Sequence, residues 1–283
     1  LSFQEDFKKA KVITLEENYR STKTILDAAK NVISNNAKRV DKDLWTNNGT
    51  GNPILIIDAY NEEEEARKVL REIITIKDSK QTKLNDIAVM YRVNAQSRSF
   101  EMACQKYGIP YQIVGGIKFY QRKEIKNLTS YLRLILNSDD DISLERIINT
   151  PTRGIGQRTL NELTKFAIAK KISIFSVIEH ITESKTDTFD IPVQLGKRAL
   201  TSIGNFHKVI IGLQNEFKSE EISLPKLISL TMNNSGLSNL IESDENAEER
   251  FENIEEYKNS SRAYENIEIH QGLTDFLESI SLV

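Results

Sequence analysis

Gly115-Gly116-Ile117-Lys118-Phe119-Tyr120-Gln121-Arg122-Lys123-Glu124-Ile125-Lys126 divides this chain of 283 residues. Ahead of it, short apolar runs alternate with helical periodicity. Behind it, only helical periodicity remains. The glycine pair permits backbone geometry and close approach that other residues resist. From Lys118 to Lys126 the stretch then packs four basic residues and two aromatics. A change of architecture at a glycine-rich, cationic hinge points to a domain junction that also meets a polyanion.

Working back from the hinge, 111–114 reads as a strand, and 95–107 as a helix stopped by Gly108-Ile109-Pro110. Residues 87–92 form a second strand pattern. Residues 62–77 form a helix with Ala66, Val69, Leu70, Ile73 and Ile74 on one face and acids at its start, where the helix dipole favours them. A third apolar run, 54–60, follows Pro53. Residues 21–35 give a helix with Ser21 as its N-cap. Strand–helix–strand repetition at this spacing predicts an α/β fold, with helices on the faces of a parallel sheet.

Working forward, Ile125, Leu128, Leu132, Ile135 and Leu136 predict a helix ending near Asn137. Asp139-Asp140-Asp141 reads as a solvated helix start rather than a metal site, ahead of a short helix over 143–149. A Pro- and Gly-containing turn covers 150–157, and Leu160, Leu163, Phe166 and Ala167 open the next helix. Helical patterns follow over 173–181, 192–217, 223–242, 246–264 and 272–282. Trp45 falls in a polar loop with nothing nearby to mark it as functional.

Composition excludes several classes. Apolar residues at 39% and charged residues at 28% fit a globular protein, and no apolar run approaches the ~20 residues that span a bilayer. The start, Leu1-Ser2-Phe3-Gln4-Glu5-Asp6, is polar, without a secretory h-region. It also lacks an initial Met, as expected of a piece of a longer chain. A single cysteine, Cys104, rules out an internal disulfide and reads as buried filler. His180, His207 and His270 are too scattered for a zinc site. These features suit a reducing, cytoplasmic setting. The net charge of −3 argues against a generally basic nucleic-acid binder. Its distribution does not: residues 111–171 carry a local +5, and much of the compensating acid lies over 242–256. One anion-binding face and one acidic face are expected.

Three short motifs carry the chemistry. Asn18-Tyr19-Arg20-Ser21 places an arginine, always charged and able to fork onto phosphate oxygens, just before a helix. Tyr91-Arg92-Val93-Asn94-Ala95-Gln96-Ser97-Arg98 lies where a predicted strand ends and a helix opens. Ligands of open α/β sheets bind there, and its residue types suit a phosphate backbone. Arg153-Gly154-Ile155-Gly156-Gln157-Arg158-Thr159 has the Gly-hydrophobe-Gly turn of a helix-hairpin-helix, in which backbone N–H groups and a helix N-terminus meet phosphate. Each also has an ordinary structural explanation as a capping or turn sequence. No Gly-x-x-x-x-Gly-Lys-Ser/Thr phosphate loop is present, and no Ser/His/Asp or Cys/His nucleophile arrangement stands out.

Taken in order, Leu15-Glu16-Glu17-Asn18-Tyr19-Arg20-Ser21-Thr22, the 88–98 block, Ile109-Pro110-Tyr111-Gln112-Ile113-Val114-Gly115-Gly116, the 118–126 block and Asn149-Thr150-Pro151-Thr152-Arg153-Gly154-Ile155-Gly156 resemble the UvrD/PcrA/Rep group of superfamily 1 DNA helicases. The resemblance spans nearly the whole chain and is weaker over 185–268. It implies a partial RecA-like parallel sheet with flanking helices over 1–117, the first part of domain 2A. An all-α insertion domain, 2B, would follow over 118–283. It implies a central piece of an ATP-dependent 3′–5′ helicase that translocates on single-stranded DNA and unwinds duplex.

Position by position, Arg20 resembles the arginine that touches the γ-phosphate, and Tyr19 the tyrosine beside the adenine. Arg92, Asn94 and Arg98 resemble residues near the single-strand track. Gly115, Gly116, Lys118, Phe119 and Arg122 resemble the single-strand/duplex junction motif. Arg153, Gly154, Ile155, Gly156 and Thr159 resemble a contact to duplex backbone. ATP and Mg2+ are implied for the full-length protein. None is expected to bind this chain alone, which lacks the phosphate loop and should not hydrolyse ATP. Implied partners are single-stranded DNA, single-strand/duplex junctions and repair or replication proteins docking on 2B, with no membrane. The rival expectation is a non-catalytic DNA- or protein-binding regulatory module, for which the acidic 242–256 stretch would suit a protein partner.

Overall fold

The structure is a computed structural model that describes residues 7–11, 13–36, 42–79, 82–183, 195–219 and 222–281. It divides into two compact units, Leu1–Ala59 and Tyr60–Val283.

Among the described residues of the first unit there is one helix, α1 (Lys23–Ile33), with Leu26 as its buried residue. The helix starts two residues later than the sequence predicts. Thr22, not Ser21, stands at the N-cap, and its side chain makes no capping bond. The Lys23 and Thr24 N–H groups donate instead to the carbonyls of Gly49 and Thr50, at 2.9 and 3.1 Å. Trp45 and Glu17 form a single parallel bridge.

The second unit begins with α2 (Glu62–Asp78). Asn61 caps it by accepting the Glu64 N–H at 2.9 Å, and four glutamates fill its first turn. It packs on α3 (Ser97–Lys106), which follows a short 3-10 turn, Asn94–Gln96. Leu70, Ile73 and Cys104 are the buried residues of this small core, so the lone thiol is filler between helices, as its sequence context predicts.

The larger core is built around α4 (Lys123–Leu136). Its neighbours are α5 (Asp141–Ile147), α8 (Lys197–Phe217), α9 (Leu224–Asn234), α11 (Ala247–Ser261) and α12 (Ile269–Ser281). Ten of its fourteen residues are buried, among them the polar Glu124, Asn127, Thr129 and Ser130. Between α5 and α8 come α6 (Gln157–Lys170) and α7 (Ile174–Glu183), packed on each other. Asp140 caps α5 through Ser143, and Asp141 accepts the Ile174 N–H at 2.8 Å, so two of the three aspartates serve helix starts. The predicted helix 223–242 breaks at Gly236 into α9 and α10 (Leu237–Glu242). The start of predicted helix 192–217 lies outside the described residues, and the helix is observed from Lys197. α12 starts earlier than predicted, because the Glu268 carboxylate accepts the His270 and Gln271 N–H groups.

The expected α/β fold is overturned. Among the described residues there is no strand and no sheet, and the architecture is mostly helical. Segments 54–59, 87–91 and 111–113, which the sequence marks as strands, have no regular structure. Ile56 is 83% exposed and Met90 91% exposed. An apolar run favours extended backbone, but a strand exists only when a neighbouring strand takes up its N–H and C=O groups. That partner is not a property of the run itself.

Leu128 is fully buried at the centre of α4. Leu128→Ala is expected to cost about 3 kcal/mol through lost burial and a cavity, measured by urea unfolding of the chain.

Candidate nucleic-acid interface

In the first unit, Asn18 folds the motif into a tight turn. Its Oδ1 accepts the N–H groups of Arg20 and Ser21, at 3.0 and 2.8 Å. Arg20 is thereby presented to solvent. The Tyr19 ring is 79% exposed, and its hydroxyl donates to Glu17 Oε2 at 2.8 Å. That hydrogen bond and the Glu17 charge push the Tyr19 hydroxyl pKa up, so it stays a neutral donor. An aromatic face beside an exposed guanidinium can meet a nucleotide base and a phosphate.

In the second unit, three predicted DNA-contact residues converge on one helix. Asn94 Nδ2 donates to Glu249 Oε1 at 2.7 Å. Arg98, only 4% exposed, is paired through Nε with Glu256. Arg122, 7% exposed, donates to Asn253 Oδ1, to the Asn94 carbonyl at 2.9 Å and to Ser97 Oγ at 3.0 Å. Glu249, Asn253 and Glu256 recur at helical spacing on a single face of α11. Asn253 also donates to Glu124 at 2.8 Å, so one amide serves an arginine and a glutamate at once. The sequence assigns Arg98 and Arg122 to a DNA surface, whereas the structure places them inside the protein. It also turns part of the acidic 242–256 stretch inward. Arg92 is the exposed arginine of its motif, while its backbone N–H is held by Gln96 Oε1 at 3.0 Å.

Besides Arg122, the junction stretch is anchored at Phe119. Phe119 is fully buried, and its N–H is accepted by both oxygens of Glu101, at 3.1 and 3.3 Å. Ser97 Oγ also donates to Glu101, at 2.8 Å. Burial pushes the Glu101 carboxyl above the usual glutamate range, against these hydrogen bonds. Gly115, Gly116 and Lys118 are exposed, with the Lys118 ammonium 5.3 Å from the Tyr111 ring centroid.

At the Gly-Ile-Gly turn, Asn149 Oδ1 accepts the N–H groups of Arg153 and Ile155, at 2.7 and 3.2 Å. Ile155 is buried and pins the turn. Gly154 has φ +79°, a conformation that favours glycine. Gly156 stands at the N-cap of α6 and supplies no side chain, so the first N–H groups of that helix face outward beside exposed Gln157 and Arg158, with Thr159 half-buried. The Arg153 guanidinium points inward, to the carbonyls of Ile147, Pro151 and Ser235 and to Tyr131 Oη. Two residues the sequence did not single out stand beside the turn. A Cβ placed on Gly154 would lie 3.8 Å from Ser202 Oγ and 3.9 Å from Arg198 Nε, both on α8. No local pattern marks them, since the pairing of α8 with this turn is tertiary.

Among the described residues no cluster of His, Cys, Asp or Glu could hold a metal ion, and no helix is long and apolar enough to cross a membrane.

The UvrD-like helicase C-terminal domain family matches residues 13–283. The chain is 40% identical over 288 residues to the ATP-dependent DNA helicase PcrA of Staphylococcus epidermidis strain RP62A. It is 41% identical over 287 residues to that of Staphylococcus aureus strain NCTC 8325. Each alignment covers 100% of this chain, which spans 38% of the length of these curated relatives.

Two measurements test this geometry. Asn253→Ala leaves a buried arginine and a buried glutamate each short of a partner, and should destabilise the chain by about 2–3 kcal/mol in urea unfolding. A raised folded-state pKa for Glu101 means that the folded form holds a proton the unfolded form releases. The stability this group contributes is therefore complete below the unfolded pKa and lost as pH rises through the folded one. Urea midpoints over a pH series should show Glu101→Gln gaining on the wild type as pH climbs from the ordinary glutamate range. A difference that stays flat would mean that folding does not shift the Glu101 carboxyl.

Proposed function

The chain belongs to the UvrD-like helicase C-terminal domain family, and on that premise we propose that it works as the central portion of an ATP-dependent 3′–5′ DNA helicase. Residues 1–117 form part of domain 2A and residues 118–283 form domain 2B. The observation that carries this reading is the match to PcrA helicases along the whole chain. The exposed turns at Arg20 and Gly154 add geometric support.

In the longer protein, ATP hydrolysis would supply the driving free energy, and Mg2+ would neutralise charge on the phosphates. Within this chain, Tyr19 and Arg20 are the residues to meet the nucleotide, an open aromatic face for the base and a guanidinium for the γ-phosphate. Arginine in that place stabilises the charge of the phosphoryl-transfer transition state. Arg92 offers its cation to the single strand, while Asn94 and Arg98 act by fixing the loop that carries it. Gly115, Gly116 and Lys118 face the junction of single strand and duplex, with Phe119 and Arg122 as their internal anchors. Gly154, Gly156 and Thr159 bring backbone N–H groups and the α6 N-terminus to duplex phosphate. Ile155 and Arg153 hold that turn in shape, and Arg158 adds an exposed cation. Contact of this kind ignores base sequence and weakens with salt. The exposed surface of 2B remains open to repair or replication proteins.

In the full-length protein, Arg20→Ala should lower DNA-stimulated ATP turnover about 1,000-fold or more and abolish unwinding. The 283-residue chain alone should turn over no ATP above a buffer blank. Fluorescence anisotropy with a 3′-tailed duplex should show Arg158→Glu weakening binding and flattening the salt slope by about 1. Wild-type ATPase and unwinding in Arg20→Ala would remove the proposed nucleotide role of Arg20 and leave this chain as a binding module of the longer protein.

A further inference from the structure

Residues 45–51, Trp45-Thr46-Asn47-Asn48-Gly49-Thr50-Gly51, wrap the Asn18 turn of the first unit. The Trp45 N–H donates to the Glu16 carbonyl at 3.0 Å, and its carbonyl accepts the Asn18 N–H at 2.8 Å. Asn48 Nδ2 donates to the Tyr19 carbonyl at 2.9 Å and to the Ser21 carbonyl at 3.5 Å. Asn47 Nδ2 donates to Glu17 Oε1 at 3.1 Å, and the other oxygen of that carboxylate accepts the Tyr19 hydroxyl. Gly49 and Thr50 take up the first N–H groups of α1, and Thr24 Oγ1 donates to the Thr50 carbonyl at 2.7 Å. Gly51 closes the loop with φ +76°, and a Cβ there would stand 2.4 Å from Thr22 Oγ1, so a larger residue does not fit.

These contacts separate into two lines. One runs from Asn48 to the Tyr19 carbonyl, in the peptide that joins Tyr19 to Arg20, and fixes where the Arg20 side chain departs. The other runs from Asn47 through Glu17 to the Tyr19 hydroxyl and fixes the ring. We propose that the 45–51 loop is the positioning element of the nucleotide-facing turn, in which Asn48 orients Arg20 and Asn47, acting through Glu17, orients Tyr19. This rests on the nucleotide role proposed above for Tyr19 and Arg20. Both asparagines are positioning residues: each acts through another group.

The division predicts different kinetic signatures. A group that aims a transition-state contact acts on kcat, whereas one that aims a ground-state contact acts on KM. The test is steady-state ATPase of the full-length protein at saturating single-stranded DNA, for Asn47→Ala, Asn48→Ala, Asn48→Gln and Arg20→Ala. Thermal unfolding of each variant runs alongside. Asn48→Ala is expected to lower kcat about fivefold with KM for ATP held, the scale of one hydrogen bond. Asn48→Gln, which keeps the amide donor, should recover part of that loss. Asn47→Ala is expected to raise KM about threefold with kcat held, for a similar weak contact. All variants should unfold at the wild-type temperature, since these bonds are exposed. The proposal is overturned if both alanine variants leave kcat and KM unchanged while Arg20→Ala abolishes turnover. It is equally overturned if both move the two parameters together with the unfolding temperature, as a mere helix cap would. Wild-type kcat in Arg20→Ala removes the nucleotide reading itself, and this proposal with it.

Discussion

One carboxamide holds the second unit's motifs together. Asn253 accepts from Arg122 and donates to Glu124, two residues at the start of α4, from a helix more than a hundred residues further along the chain. Each charged partner needs the amide in a fixed orientation, and the amide has one oxygen and one nitrogen to offer. Arg122 in turn reaches the Asn94 carbonyl and Ser97, which tie down the loop before α3. Glu249 and Glu256, one turn on either side of Asn253, complete the grip on Asn94 and Arg98. Burying a guanidinium is tolerated only when its donors are matched, and here the matching groups come from distant parts of the sequence.

That arrangement changes the meaning of the charge pattern. The sequence separates a basic middle from an acidic later stretch, which suggests two opposed faces. The structure instead folds part of the acid onto part of the base. Among the cations that stay outside are Arg92, Lys118, Lys123, Arg158 and Arg198. They carry the electrostatic argument for a polyanion, and Arg198 comes from a helix that no motif had marked.

What could be read in the sequence was what local chemistry decides. The periodicity of α2, its first-turn acids and the filler role of Cys104 were legible, because each depends on residues a turn or two apart. The Gly-Ile-Gly turn was legible as a turn. The strands were not: apolar runs such as 54–57 show a preference for extended backbone, while pairing belongs to a partner that the run does not contain. The burial of Arg98 and Arg122 was hidden for the same reason, since their partners Glu256 and Asn253 lie far along the chain. Trp45 looked inert because its loop works through backbone carbonyls and two asparagine amides, which leave no pattern of charge or hydrophobicity.

Arg153 tolerates little change in the shape of its side chain. Its guanidinium serves four acceptors spread around the turn, the carbonyls of Ile147, Pro151 and Ser235 and the Tyr131 hydroxyl, and lies 5.5 Å from the Phe206 ring centroid. A lysine would keep the charge but gather its donors at a single point, without the planar fork that spans these acceptors or the flat face that lies over an aromatic. At this position the conservative exchange is the disruptive one, and the shape of the side chain matters more than its charge.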